Sequence, residues 1–273
     1  MDTRGILKPA ALDRIFRLER RPPPPDLAHL VDGHWLVSWD LRGHEPYTSQ
    51  VMTHPAVHVV FEPARAAVYG VHSTRYDRTL ADTGWAVGTK FLPGGFASFA
   101  GRPLCELTDR VLTLREVFGA AGERLEREVC SAASSSDGAP ADAILPRLYA
   151  LLRARLPAEL DPAAVLVNAV VADMRSAQPA TSVAEIAARH HVSTRTLQRL
   201  FRRYVGVGPK WVLQRYRLHD AIEQLGGRAT DWTRFALDLG YFDHAHFIAD
   251  FRAVVGRSPS QYEAEAAAVR SAS

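Results

Sequence analysis

A pattern that recurs after fifty residues limits what this chain can fold into. STRTLQRLFRRYVGVGP begins at Ser193, and DHAHFIADFRAVVGRSP begins at Asp243. Each opens with a residue whose side-chain oxygen can accept a first-turn backbone N–H, as a helix N-cap must. Apolar residues then recur at helical spacing: Leu197, Leu200, Phe201 and Tyr204 in the first copy, Phe247, Phe251 and Val254 in the second. Gly206 and Gly256 lie thirteen residues beyond their caps, and Pro209 and Pro259 follow three later. Glycine ends one helix and proline opens the next. A repeat of this length is one supersecondary unit used twice.

A second short amphipathic segment precedes each capped helix. In the first copy it is VAEIAARHHV, with Val183, Ile186 and Ala187 turned inward. In the second it is DWTRFALDLGYF, with Trp232, Phe235, Ala236 and Leu239 as candidate core residues. Helix, tight turn, helix is the helix-turn-helix arrangement, whose second helix enters a DNA major groove. The outward face of the first copy suits that use. Arg195, Gln198, Arg199 and Arg202 lie opposite the apolar stripe. Arginine can bond a guanine edge bidentately, and glutamine can do so for adenine. Arg202 and Arg203, further along, are better placed for phosphates. A solvated basic face is the plain alternative for such a charge run.

The span from about Ser182 to Tyr262 resembles the DNA-binding domain of AraC/XylS-type transcription regulators. SVAEIA, VSTRTLQRLFRRYVGVGPKWV and LGYFDHAHFIADFRAVVGRSPSQY carry the likeness. The resemblance implies two helix-turn-helix units on one long helix, here PKWVLQRYRLHDAIEQL, opened by Pro209 and ended near Gly226-Gly227. It implies DNA contacts from Thr194, Arg195, Gln198, Arg199, Arg202 and Arg203 in the first unit. In the second it implies contacts from His244, Ala245, Ile248, Ala249 and Arg252. Ala245, Ile248 and Ala249 offer no side-chain hydrogen bond, so they can only touch a thymine methyl or follow the groove. Asp250 is acidic. Most direct readout is therefore expected from the first unit, with Arg252 and helix-end amides on phosphates.

Charge distribution agrees. Residues 181–262 hold 12 Lys and Arg against 7 Asp and Glu, so the basic excess of the chain sits there. At 273 residues the chain suits two domains. Cys105 and Cys130 are too few for a disulfide framework and fit a reducing, cytoplasmic setting. The charged N-terminus lacks the apolar run of a signal peptide, and no stretch is long and apolar enough to span a membrane.

The first half has a different texture. Residues 1–26 are basic and end in RRPPPPD, which favours an extended arm, either a stiff spacer packed along its own domain or a ligand for a partner's groove. WLVSWDL, VHVVFE, AAVYGV, TRYDRTL and GWAVGTKF read as short strands separated by Gly, Pro and Asp, as in a small β-barrel or sandwich. FLPGGFASF carries a Pro-Gly-Gly corner. This half looks like the sensing domain of many AraC/XylS-type proteins, often a cupin-like barrel, and the likeness supplies no ligand. The fold class expected is α+β with two domains: a small cupin-like β-barrel with a helical appendage, then an all-α double helix-turn-helix. The divisions expected are 1–135, 136–180 and 181–273.

After LTDRVLTLREVFGAAGERLEREVC, whose AGERLEREVC reads as helix, SAASSSDGAP reads as a surface loop. ADAILPRLYALLRARL and DPAAVLVNAVVADMRSA read as helices, the second cued by Asp161 and Pro162. Their stripes, Leu145, Leu148, Leu152 and Leu156, and Val167, Val170, Val171 and Met174, suit an intrachain pair over the barrel or a dimer seam. Ala177 to Ala180 marks the expected domain boundary.

Enzymatic chemistry finds little footing. His54, His58 and Glu62 are spaced by four and would share a face of a continuous strand, but Pro55 interrupts it. The plain alternative is a turn-supporting histidine pair with Glu62 bound to an arginine. Cys105 has no basic neighbour to activate it, and no phosphate-cradling glycine motif or hydrolase nucleophile motif appears. The expectation is a sequence-specific regulator that contacts successive major grooves about 34 Å apart, with no cofactor and no metal. Its expected partners are double-stranded DNA, RNA polymerase, a small-molecule effector and a second copy of the chain. The rival is a cupin-type metalloenzyme with an accessory DNA-binding domain.

Overall fold

The computed structural model describes Leu7 and residues 16–133, 140–157, 159–176, 180–225 and 231–271. Most of the expected N-terminal arm, residues 134–139 of the expected loop, most of the expected domain boundary and Gly226-Gly227 lie outside these residues.

The N-terminal half is built on strands β1 (Phe16–Arg21), β2 (Val31–Asp40), β3 (Tyr47–Val51), β4 (His58–Glu62), β5 (Arg65–Tyr69), β6 (Tyr76–Leu80), β7 (Thr83–Phe91) and β8 (Val111–Thr113). Six pair antiparallel in the order β1-β2-β7-β4-β5-β8, while β3 and β6 form a separate ribbon. No pairing among the described residues closes the sheet into a barrel. Alternation along each strand sorts its side chains between two faces. Leu36 pairs with Val87, and Val87 with Phe61, and these bury one face with Val59, Val68 and Phe91. The other face gathers Trp35, Val37, Val60, Ala67, Tyr69 and Ala86 with Tyr76 of the ribbon. There Gly88 lies opposite Trp35, and a Cβ on it would stand 2.0 Å from the indole, so the flat packing of that ring needs glycine.

Three strands differ from the sequence reading, and the shortest of them, β8, pairs with β5 from within a stretch not read as a strand. FRLERR, expected within an extended arm, is the edge strand β1 along β2. Its apolar residues Phe16 and Leu18 are flanked by charges, as suits an edge whose solvent face must stay polar. YTSQV forms β3 without the apolar alternation that announces a strand. In the proline run Pro24 is extended at φ −63° and ψ 148°, and the turn that follows buries Leu27 in the main core.

Helices α1 (Ala97–Ala100), α2 (Leu114–Ala133, broken by a kink at Gly119, φ 62° and ψ −147°), α3 (Ala141–Arg153) and α4 (Pro162–Met174) follow. The last residues of α2 include Ser131–Ala133, read from sequence as loop. Thr113 Oγ1 accepts from Glu116 N at 3.1 Å, while the Glu116 carboxylate accepts from Thr113 N at 2.7 Å. This is the reciprocal bonding of a capping box at the start of α2. Phe118, Leu125 and Val129 of α2 and Ile144, Leu145, Leu148 and Leu152 of α3 cover the first face of the sheet. His34 pins α3 down through Thr89 Oγ1 at 2.9 Å and Tyr149 Oη at 2.8 Å, and burial lowers its pKa to about 4. Cys130 lies on α2, where burial and Glu126 raise its thiol; Cys105 sits in a short 3-10 turn over Leu104–Glu106.

The helices expected to pair do not share a core. Val167, Val170, Val171 and Met174 of α4 pack with Ile186, Leu197, Phe201 and Leu213 further on. Asp161 adds a polar tie to this apolar contact. Its carboxylate caps α4 by accepting from Ala163 N at 2.9 Å and also accepts from Tyr204 Oη. The C-terminal helices are α5 (Val183–Arg189), α6 (Thr194–Tyr204), α7 (Pro209–Gln224), α8 (Trp232–Asp238), α9 (His244–Val255) and α10 (Pro259–Ser271). The long α7 runs through two cores: Val212, Leu213 and Tyr216 join the first, Leu218 and Ala221 the second.

Candidate nucleic-acid interface

The two helix pairs are built alike. Ser182 Oγ caps α5 by accepting from Glu185 N at 3.2 Å, and Ser193 Oγ caps α6 by accepting from Thr196 N at 3.1 Å. Asp231 caps α8 through Thr233 N at 3.0 Å, and Asp243 caps α9 through His246 N at 2.8 Å. Between the helices the chain turns through a left-handed residue, His191 in one unit and Gly240 in the other. Val192 N then returns to Ala187 O, and Tyr241 N to Ala236 O.

The copies are not perfectly in step. Ser182 and Asp231 are 49 residues apart, whereas Ser193 and Asp243 are 50 apart. The additional residue is Phe242, which stands 88% exposed between the turn and the cap of α9. The buried stripe of α6 is Leu197, Leu200, Phe201 and Tyr204, as its spacing predicts. In α9 the buried residues are Phe247, Phe251 and Val255, and Val254 is only partly covered. The stripe steps by four residues each time, and three was expected at the last step.

Opposite these stripes the sequence-predicted contacts fall as follows. Thr194, Arg195, Gln198, Arg199, Arg202 and Arg203 are all exposed on α6. Arg195, Arg199 and Arg202 make no ion pair among the described residues, and the Arg203 guanidinium lies 5.7 Å from the Tyr204 ring centre. On α9, His244, Ala245, Ala249 and Arg252 are exposed and Ile248 is half-buried. Asp250 turns toward α7, where it accepts from Gln214 Nε2 at 3.0 Å. Helix α6 therefore presents four arginines and no acid, while α9 sets one arginine against one aspartate.

His54, His58 and Glu62 are drawn to three different places. His54 lies outside β4 and stacks on His219 of α7. His58 Nδ1 accepts from Trp35 Nε1 at 3.1 Å. Glu62 pairs with Arg65 at 2.7 Å and Arg78 at 2.8 Å, as the plain alternative had it.

The contacts that sequence reasoning missed lie between the sheet half and the helical half. Arg215 of α7 is buried, donates from Nη2 to Ser73 O at 2.8 Å and stacks 4.4 Å from the Trp211 ring centre. It makes no ion pair among the described residues, and desolvation lowers its pKa to about 10. Arg257 reaches Gln50 Oε1 at 3.4 Å. No spacing rule announces such pairs, which join residues more than a hundred positions apart.

Residues 177–265 match a family described as a helix-turn-helix domain. The domain is of the AraC type. Such a domain places the chain among DNA-binding transcription regulators. Residues 19–113 match a second family, described as a domain of unknown function (DUF6597). Among solved structures, the AraC-type domain is similar to the DNA-binding domain of AdpA, a global transcriptional factor solved with a target DNA. The identity is 28%, the match covers 41% of this chain and 97% of that one, and the TM-score is 0.34. It is also similar to a transcriptional regulator from Chromobacterium violaceum, at 27% identity over 37% of this chain and 88% of that one, with a TM-score of 0.31. ToxT from Vibrio cholerae is similar over 91% of this chain and 98% of its own, at 10% identity and a TM-score of 0.39. No curated protein matches the chain. No helix among the described residues is long and apolar enough to cross a membrane.

Proposed function

We propose that this chain is a sequence-specific regulator in which α6 reads base edges in one major groove and α9 enters the next. Arg195, Gln198 and Arg199 make the base contacts, Arg202 and Arg203 hold phosphates beside them, and Thr194 meets the backbone at the start of the helix. The observation that carries the reading is the outer face of α6. Arg195, Arg199 and Arg202 stand exposed without an ion pair among the described residues, opposite a stripe that fixes the helix on the core. Exposed guanidinium groups on a recognition helix can form bidentate bonds to guanine.

Helix α9 contributes differently. His244, Ala245, Ile248 and Ala249 follow the groove and favour thymine methyls, and Arg252 holds a phosphate. The sheet half senses an effector or mediates association with a second copy, and RNA polymerase is the partner through which such a regulator acts. The rival enzymatic reading is disfavoured, because His54, His58 and Glu62 are drawn to three separate places. Selection of bound sequences from random duplex DNA tests the proposal. A two-part motif is expected, with its stronger half assigned to α6 by Arg199→Ala; a pool without sequence preference would overturn it.

A further inference from the structure

Gly206 and Gly256 are equivalent positions of the duplicated unit, each just past the end of a proposed recognition helix. Both have left-handed backbone, at φ +102° and +84°. The sheet half meets both places. Thr108 Oγ1 donates to Gly206 O at 2.8 Å. A Cβ on Gly206 would stand 2.8 Å from that hydroxyl and 2.9 Å from Leu104 O, so any side chain there would push the two halves apart. At the other unit Arg75 Nη1 donates to Val255 O at 2.9 Å, which places a cation on a helix C-terminus. Arg75 is itself held, since its Nε and Nη2 grip the two oxygens of Asp77 at 2.6 and 2.7 Å.

The two grips are mounted on one bracket. Asp109 N donates to Val71 O at 2.9 Å, and Gly70 N donates to Arg110 O at 3.0 Å. The Asp109 carboxylate accepts from Ser73 N at 2.7 Å and from Ser73 Oγ at 2.6 Å. Thr108 and Arg75 thus project from two segments that are cross-linked to each other. The same bracket holds the middle of α7, because Ser73 O is the acceptor for Arg215. It touches the end of α6, the centre of the connecting helix and the end of α9.

We propose that Thr108 and Arg75 are positioning residues that fix the separation of α6 and α9, so that the intact chain accepts one spacing between its two half-sites. The proposal rests on the two-groove reading above. The test uses the full chain and duplexes carrying the selected site with its halves at the selected spacing, or one base pair closer or further. Wild-type protein prefers the selected spacing. Thr108→Val and Arg75→Met each reduce that preference by about threefold or more, the worth of one hydrogen bond. Thr108→Ser keeps the donor and the preference. Thermal unfolding of the same samples shows that they are folded; if Thr108→Val is not, Ser73→Ala loosens the bracket without touching either unit and carries the same expectation. Folded variants with the wild-type spacing preference overturn the positioning role. A wild-type footprint confined to one groove and indifferent to spacing overturns the two-groove reading, and the positioning role with it.

Discussion

The rings of His54 and His219 lie parallel and 4.0 Å apart, one from the segment between β3 and β4 and the other from α7. His54 Nδ1 and His219 Nε2 are buried without a hydrogen-bond partner among the described residues. The groups that face them are cationic or neutral: Lys90, Arg175 and His58 act on His54, and Arg215, Lys90 and Arg175 on His219, with the Tyr216 ring beside both. Asp32, the nearby acid, is taken up by Lys90 at 2.8 Å. Burial holds both rings neutral, His219 at about 3 and His54 well below the ordinary value.

A pH dependence follows. In the unfolded chain both histidines bind protons near pH 6.5, whereas in the folded chain they do not. Their full contribution to stability is therefore present above about 6.5 and is lost as pH falls toward the folded values. Each costs up to roughly tenfold in the folding equilibrium per pH unit across that window. His34 and His58, held by burial at about 4 and about 3, add to the same trend. The double replacement His54→Phe with His219→Phe keeps two stacked rings and removes two of these protons. Urea midpoints at pH 7, 6 and 5 should fall less steeply for it than for wild type; equal slopes would show that the stack does not titrate this way.

Specificity divides between the helices. Arg199→Ala removes a bidentate base contact, with a cost of about 1–3 kcal/mol and a relaxed preference at one base position. Arg252→Ala weakens all sequences alike and lowers the salt slope by about one. Titrations against a panel of single-base operator variants at two salt concentrations separate these. A base preference untouched by Arg199→Ala would mean that α6 lies in another register.

Phe251 anchors the second unit. Its ring is fully buried, 5.7 Å from Phe247 and 5.9 Å from Tyr262. Phe251→Ala should cost about 3–5 kcal/mol through lost transfer energy and the cavity left behind. Val255→Ala should cost more than Val254→Ala, since only Val255 is wholly covered. Denaturant unfolding of the three variants checks the order, and a reversed order for the two valines would displace the helix phase.

These cases show what was legible in the sequence. The helix pairs were, because caps, stripes and terminal glycines are local rules that bind residues a few positions apart. Ser193, Asp243 and Gly256 could each be read in place. The strands with apolar runs were legible for the same reason, whereas β1, β3 and β8 were not: an edge strand keeps charges such as Arg17 and Glu19 within it, the ribbon strand is largely polar, and β8, at three residues, is too short to show an alternation. The fate of α4 was hidden, because its stripe states that it is buried and does not state against what. Contacts such as Arg75 with Val255 and Arg215 with Ser73 obey no periodicity at all. They emerge only when two halves with their own patterns meet, and the bracket and the histidine stack belong to this class.

The exposed face of α9 gives the sharpest test of how the second unit is used. Ala249 is exposed and carries only a methyl group, on a helix that otherwise offers Ala245, Ile248 and one cation. Ala249→Arg retains good helix propensity. Its neighbour Asp250 is engaged by Gln214 and turned toward α7, so it should not neutralise the new charge. If α9 enters a groove, the added guanidinium should create a new preference, most simply for guanine, about one helical turn from the bases read by α6. It should also raise affinity for all DNA in a salt-sensitive way. Selection from a random library, run on wild type and Ala249→Arg at matched salt, distinguishes these effects. An unchanged motif with a uniform gain in affinity would place α9 above the backbone, outside the groove, and would leave α6 as the reader.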